Sequence, residues 1–194
     1  MKLTDREWKA FRIGDMFEHI ERGRVFSALD LYRAERGVPY VGATVNNNGV
    51  MYYVDCDDKD KIQKGNCIAF IRDGQGSVGL SVYRETSCVA TVNVSFGYAQ
   101  WVNRYTGLFV STSANMIRSK YSFGYKRKEE RLKRDLIMLP VKDDGTPDYD
   151  FMEQYIVVPQ IKRNSILHII RDCFCDVSMN NSRLFDADSA LYFI

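Results

Sequence analysis

The chain has 194 residues, of which 27 are basic, 25 acidic and two His, giving a formal charge of +2 and a pI near 8.2 at 45% hydrophobic content. That length suits one globular domain with an appendage or two small ones, and 13% aromatic with 27% charged residues excludes both a disordered tail and a membrane bundle. So small a net charge offers no global argument for a polyanionic partner, which leaves only local clustering to make one.

From the N-terminus, MKLTDREWKAF mixes charges into its opening residues and lacks the apolar run of a signal peptide. Five Cys (Cys56, Cys67, Cys88, Cys173, Cys175) form an odd set with no secretory context, so reduced thiols and a cytoplasmic location are expected, with no membrane partner. Thr4-Asp5-Arg6-Glu7 has the form of a capping box, in competition with the strand-like Trp8 to Ile13 that follows. Asn47-Asn48-Gly49 predicts a turn ahead of a strand at Val50 to Val54, because these residues tolerate positive φ. Asn66 to Arg72, Leu80 to Arg84 and Cys88 to Phe96 are short, rich in Val, Ile, Tyr and Phe, and separated by breaks, which predicts strands of a twisted, mostly antiparallel sheet. Tyr105 to Ile117 reads equally as helix or loop.

A boundary falls at Lys142 to Pro147. Thr146 as N-cap, Pro147 as first helical residue and Asp148 and Asp150 in the first turn predict a helix with Phe151, Met152, Tyr155 and Ile156 on its apolar face. Pro159 must kink or end it, yet Ile166, Ile169, Ile170 and Cys173 resume an amphipathic stripe that needs a partner surface. Beyond Phe174 the pattern dissolves into a polar, irregular end. The expected class is α+β: a β-rich domain over 1–146 and a helical segment over 147–194.

Gly74-Gln75-Gly76-Ser77-Val78-Gly79 spells G-x-G-x-x-G directly after a strand. A dinucleotide site needs a helix next, aimed at the pyrophosphate, whereas Leu80 to Arg84 reads as a strand, so a Gly-rich turn is the better reading. Such a turn still lets backbone N–H groups approach an anion. His168, Cys173 and Cys175 lack the paired spacing of a zinc site, and no Ser-His or Cys-His arrangement, G-x-S-x-G or H-E-x-x-H occurs; neither a metal nor a catalytic group is assigned. The local charge is elsewhere. Arg118 to Arg134 (RSKYSFGYKRKEERLKR) carries eight basic residues against two acidic ones, interleaved with Tyr121, Phe123 and Tyr125. A solvated charged face is one reading; phosphate-holding cations beside planar rings, as on nucleic-acid surfaces, is the other.

Several phrases in order resemble the specificity subunits of type I restriction-modification systems and their type IIB and IIG relatives. They are Trp8 to Glu18 with Arg22-Gly23, Val38 to Thr44 with Asn47-Asn48-Gly49, Lys64 to Phe70 running into Asp73 to Gly79, Arg131 to Arg134 leading to Ile137 to Val141, and Gly145 to Ile156. The resemblance covers about residues 7–157 and implies a DNA target-recognition domain followed by a helical spacer and dimerisation segment, a half-subunit of the family's usual layout. It further implies a non-catalytic chain that binds double-stranded DNA and directs a DNA adenine methyltransferase subunit, with S-adenosylmethionine on that partner, and in some systems a restriction subunit or a second copy. On this reading Arg118, Lys120, Lys126, Arg127 and Lys128 would hold phosphates with Tyr121 beside them, Asn46, Asn47, Asn48, Arg72, Gln75 and Ser77 would address base edges, and Ile166, Ile169, Ile170 and Cys173 would dock the partner. The rivals are a nucleotide-binding enzyme using Gly74 to Gly79 and an RNA-binding or assembly domain.

Overall fold

Period-two stretches become strands that divide among three sheets. The computed structural model describes residues 1–157. Strands β1 (Trp8–Arg12) and β11 (Leu136–Pro140) form an antiparallel ribbon; β2 (His19–Arg22), β10 (Val94–Tyr98), β7 (Cys67–Ile71) and β8 (Ser81–Arg84), in that order, make an antiparallel four-stranded sheet. A five-stranded sheet has the order β3 (Tyr32–Ala34), β5 (Val50–Asp55), β4 (Val38–Val41), β9 (Cys88–Ala90) and β6 (Ile62–Gln63), with β4 and β9 parallel and the other pairs antiparallel. The α+β class and the antiparallel bias stand; the single sheet does not.

The reason lies at residues 91–93. The stretch expected as one strand from Cys88 to Phe96 turns a corner there, sending β9 to the larger sheet and β10 to the smaller. Thr91 bridges Val25 in parallel, and Gly23 makes the corner fit: a Cβ on it would lie 2.1 Å from the Thr91 carbonyl oxygen. Alternation survives a corner when residues on both sides are buried, as Val89, Ala90, Val94 and Phe96 are, so the sequence pattern does not reveal it.

All five residues of β7 are buried. Ile68 and Phe70 face a core shared with Ile13, Phe109, Leu139 and Met152, while Cys67 and Ala69 face Phe96 and Cys88. The open segment near Tyr105 is helix α2 (Arg104–Asn115), started by the Asn103 side chain, which accepts from the N–H groups of Tyr105 (2.8 Å) and Thr106 (3.0 Å). Two shorter helices, α1 (Ile13–Met16) and α3 (Glu129–Arg134), adjoin one end of the ribbon, where Arg12 pairs with Leu136. At the N-terminus the capping-box phrase yields only a 3-10 turn, Leu3–Asp5, before β1 takes over.

The helix expected after the Lys142 to Pro147 turn is present, helical from 149 to the last described residue, but its cap is Asp148 rather than Thr146. Asp148 Oδ1 accepts the Phe151 N–H at 3.0 Å, while the Thr146 hydroxyl donates to Asp144 at 2.6 Å and Pro147 bridges Val141. Phe151 and Met152 are buried, and Tyr155 and Ile156 pack on the main core, as their spacing predicts. The first compact unit runs over Met1–Ile156, and the helix contributes Met152 to its main core. Pro159 and the stripe Ile166, Ile169, Ile170 and Cys173 lie outside the described residues, as do His168 and Cys175. Among the described residues no helix is long and apolar enough to cross a membrane.

Candidate nucleic-acid interface

Three segments distant in sequence meet at one end of β7. The first is the Gly74 to Gly79 turn that joins β7 to β8. Its base is closed by Ile71 N–H to the Leu80 carbonyl (2.8 Å) and Gly79 N–H to the Ile71 carbonyl (3.0 Å), and within it Ser77 and Val78 donate to the Gly74 carbonyl (3.2 and 3.1 Å). β8 follows directly, so no helix N-terminus addresses the turn. With the N–H groups of Ser77, Val78 and Gly79 spent internally, the turn has no cradle for a pyrophosphate, and the G-x-G-x-x-G string loses its mechanism.

The second segment is the turn between β4 and β5. Asn46, Asn47 and Asn48 are exposed, with Asn47 and Asn48 at φ of 47° and 51°, the left-handed region that asparagine tolerates. Ser77 ties this turn to the first: its side chain is 1% exposed and its hydroxyl donates to the Ala43 carbonyl at 2.8 Å. Ser77 is therefore a clasp between loops, not a reader of base edges as expected. Gln75 stays exposed at the tip, so the amides of Asn46 to Asn48 and Gln75 stand on adjoining turns.

The basic segment is the third. The half-buried Arg118 donates through Nη2 to the Gly76 carbonyl, Lys126 Nζ lies 2.5 Å from Asp73, and the Arg127 N–H donates to the Arg72 carbonyl at 3.0 Å. Lys120, Lys126 and Lys128 are exposed, and so is Phe123, at the tip of a turn closed by Ser122 and Tyr125. Arg131, within the charge run but not singled out by it, sets its guanidinium 4.0 Å from the Tyr125 ring centre.

Two of the expected contacts are internal. Arg127 is fully buried: Nε meets Asp135 Oδ2 at 2.9 Å, Nη1 donates to the Gly79 carbonyl and Ser81 hydroxyl at 3.0 Å each, and the group lies over the Phe70 and Tyr121 rings. It cannot reach a phosphate. Burial lowers its pKa, opposed by the adjacent Asp135 carboxylate. Tyr121 is 8% exposed with its hydroxyl donated to Asp135 Oδ1 at 2.8 Å, and burial together with that bond raises its pKa. No base can stack on it. Arg72 is half-buried with Nη1 on the Val92 carbonyl at 3.3 Å.

Among the described residues the two buried thiols offer no nucleophile. Cys67 and Cys88 are buried free cysteines, and burial pushes their pKa values up to about 12 and about 11, away from the reactive thiolate. A hollow of about 550 Å³ lined by residues including Phe11, Arg12, Asp15, Leu136 and Tyr149 shares no residue with the three segments. Among the described residues no group of three or more His, Cys, Asp or Glu could hold a metal ion.

Fold and surface together define a class: a mixed α+β recognition domain that presents a cationic, amide-bearing face built from loops. The chain belongs to the type I restriction modification DNA specificity domain family, which matches residues 5–171. That is the family its ordered phrases resemble. It is 31% identical over 159 residues to the Type II restriction enzyme BgcI specificity subunit S.BcgI of Heyndrickxia coagulans, covering 80% of this chain and 44% of that one. Its fold is similar to the S subunit of a type I restriction-modification system from M. genitalium (TM-score 0.56, 15% identity, 88% of this chain and 45% of that one). The HsdS subunit from Thermoanaerobacter tengcongensis is comparable (TM-score 0.55, 14% identity, 84% and 39%). The chain spans less than half the length of each of these relatives.

Proposed function

We propose that this chain reads DNA sequence for a restriction-modification system and delivers a partner adenine methyltransferase, with a nuclease where one accompanies it, to the target. The observation that carries this reading is the meeting of the Asn46 to Asn48 turn, the Gly74 to Gly79 turn and the basic segment on one face of a domain of the DNA specificity family. Lys120, Lys126 and Lys128, with Arg118 at the rim, contact phosphates, and release of condensed counterions drives association and sets register. The amides of Asn46 to Asn48 and Gln75 offer the paired donor and acceptor that match an adenine edge in the major groove. The chain itself contributes no reacting group; methyl transfer and S-adenosylmethionine belong to the partner. Pairing with a second copy would present two such faces to a palindromic site.

Selection of bound duplexes from a random pool, with and without a co-expressed methyltransferase, tests the reading. Enrichment of a defined half-site is expected. A pool that stays random with the partner present, or single-stranded RNA that displaces the duplex, would overturn it.

A further inference from the structure

Beside the basic segment lies a pair of cations that no charge run marks. In the four-stranded sheet β10 separates β2 from β7, with Ser95 opposite Arg22 on one side and opposite Phe70 on the other. The two flanking strands therefore run in the same direction and end at the same edge. Arg22 is the last residue of β2, and Arg72 directly follows β7. At that edge sits the corner between β9 and β10, and both guanidinium groups converge on one oxygen there: the Val92 carbonyl accepts from Arg22 Nε at 3.3 Å, Arg22 Nη2 at 3.2 Å and Arg72 Nη1 at 3.3 Å.

One neutral carbonyl, with two lone pairs, does not balance two cations that carry five donors each. The Nε of Arg72 is buried with no partner among the described residues. Nearby carboxylates are already engaged: Asp73 by Lys126 at 2.5 Å, Glu129 by Lys133 at 2.7 Å and Glu21 by Arg24 at 2.8 Å. Burial lowers the Arg72 pKa and the Arg22 charge lowers it further, while the Glu129 and Asp73 carboxylates oppose both. Converging donors and surplus positive charge suit an anion with several acceptor oxygens, which planar guanidinium groups grip in pairs.

We propose that Arg22 and Arg72 form a phosphate seat that takes a phosphodiester of the duplex lying on the adjoining loops, an inference that rests on the DNA reading above. The seat abuts the basic segment, since the Arg72 carbonyl accepts the Arg127 N–H, so one phosphate track joins Lys126 to Arg22. Arg72 then positions the backbone instead of reading a base.

The test uses the full chain in complex with its co-expressed methyltransferase, carrying Arg22→Gln, Arg72→Gln or both, because a glutamine amide can still donate to Val92 while the charge is lost. Each single variant is expected to lower the slope of log affinity against log salt by part of a unit and the double variant by about one, the share of one phosphate, with the selected sequence unchanged. Inorganic phosphate is expected to raise the melting temperature of the original chain and not that of the double variant. A double variant with the original slope, or one protected by phosphate as well as the original chain, overturns the seat. An original complex that binds no duplex sinks the DNA reading instead, and loss of phosphate protection in the double variant then still upholds an anion seat. Should the double variant melt early without ligand, Arg22→Gln decides the matter alone, since Arg22 is exposed at the sheet's edge.

Discussion

The Asp135 carboxylate holds both stems of the turn that displays Phe123. One oxygen accepts the Tyr121 hydroxyl and the other the Arg127 Nε, and all three residues are buried. Removing one member of a buried ion pair costs up to about 3–5 kcal/mol, and without Arg127 the one cation left beside Asp135 among the described residues is the half-exposed Lys120, its Nζ at 3.7 Å. Arg127→Met should lower stability by that amount in urea titration, and Asp135→Leu added to it should recover part of the loss. A single variant as stable as the parent would show that the pair does not anchor the turn. The eight cations of residues 118–134 look alike in one dimension, and nothing local distinguishes Arg127 from Lys126 or Lys128. What separates them is Asp135, Gly79 and Ser81, supplied by the strand and turn on which Arg127 packs.

At the scale of elements, the face depends on how closely two turns approach. A Cβ on Gly74 would lie 2.3 Å from Ser77 Oγ and 2.7 Å from the Ala43 Cβ, so Gly74→Ala must push the turns apart. The expected outcome is lost sequence preference with a salt slope close to the parent's, seen by repeating duplex selection on the variant; an unchanged preferred site would mean that the junction does not set base readout. The helix over 149–157 supplies a second case. Burial works against the Asp148 carboxylate, yet the Arg6 side chain at 2.9 Å and the Phe151 N–H hold its pKa below the ordinary value. A carboxyl depressed in the folded chain adds stability that is fully present above its unfolded pKa of about 3.9 and is lost as pH falls through the folded value. Asp148→Asn keeps the cap and removes the charge, so its urea midpoint should fall less than the parent's between about pH 6 and pH 3. Parallel curves for the two proteins would take the Arg6 pair out of acid stability. The helix and its apolar face are legible from Phe151, Met152, Tyr155 and Ile156. Its cap is not, because Thr146 and Asp148 both satisfy the local rule and the turn with Asp144 captures Thr146.

Over the whole molecule the net charge of +2 conceals an uneven distribution. Exposed lysines at 120, 126 and 128 stand on the loop-built face, and a long-range field from such a face acts on a polyanion regardless of its sequence. Replacing Lys120, Lys126 and Lys128 by Gln together should weaken binding about equally for all duplexes and lower the salt slope by about three, less whatever share Lys120 already gives to Asp135 and Lys126 to Asp73. An unchanged slope would remove them from the interface. Much of the architecture follows from the chain's own order: the strand segments, the Asn47-Asn48-Gly49 turn and the helix after Pro147 rest on periodicity and backbone preference among neighbours, and the family resemblance rests on the order of its phrases. The tertiary structure alone decided that Cys88 to Phe96 changes sheet, that Ser77, Tyr121 and Arg127 face inward, and that Arg22 lies against Arg72. Exposure and charge pairing depend on which distant segments come together, so a residue's sequence neighbours do not determine them.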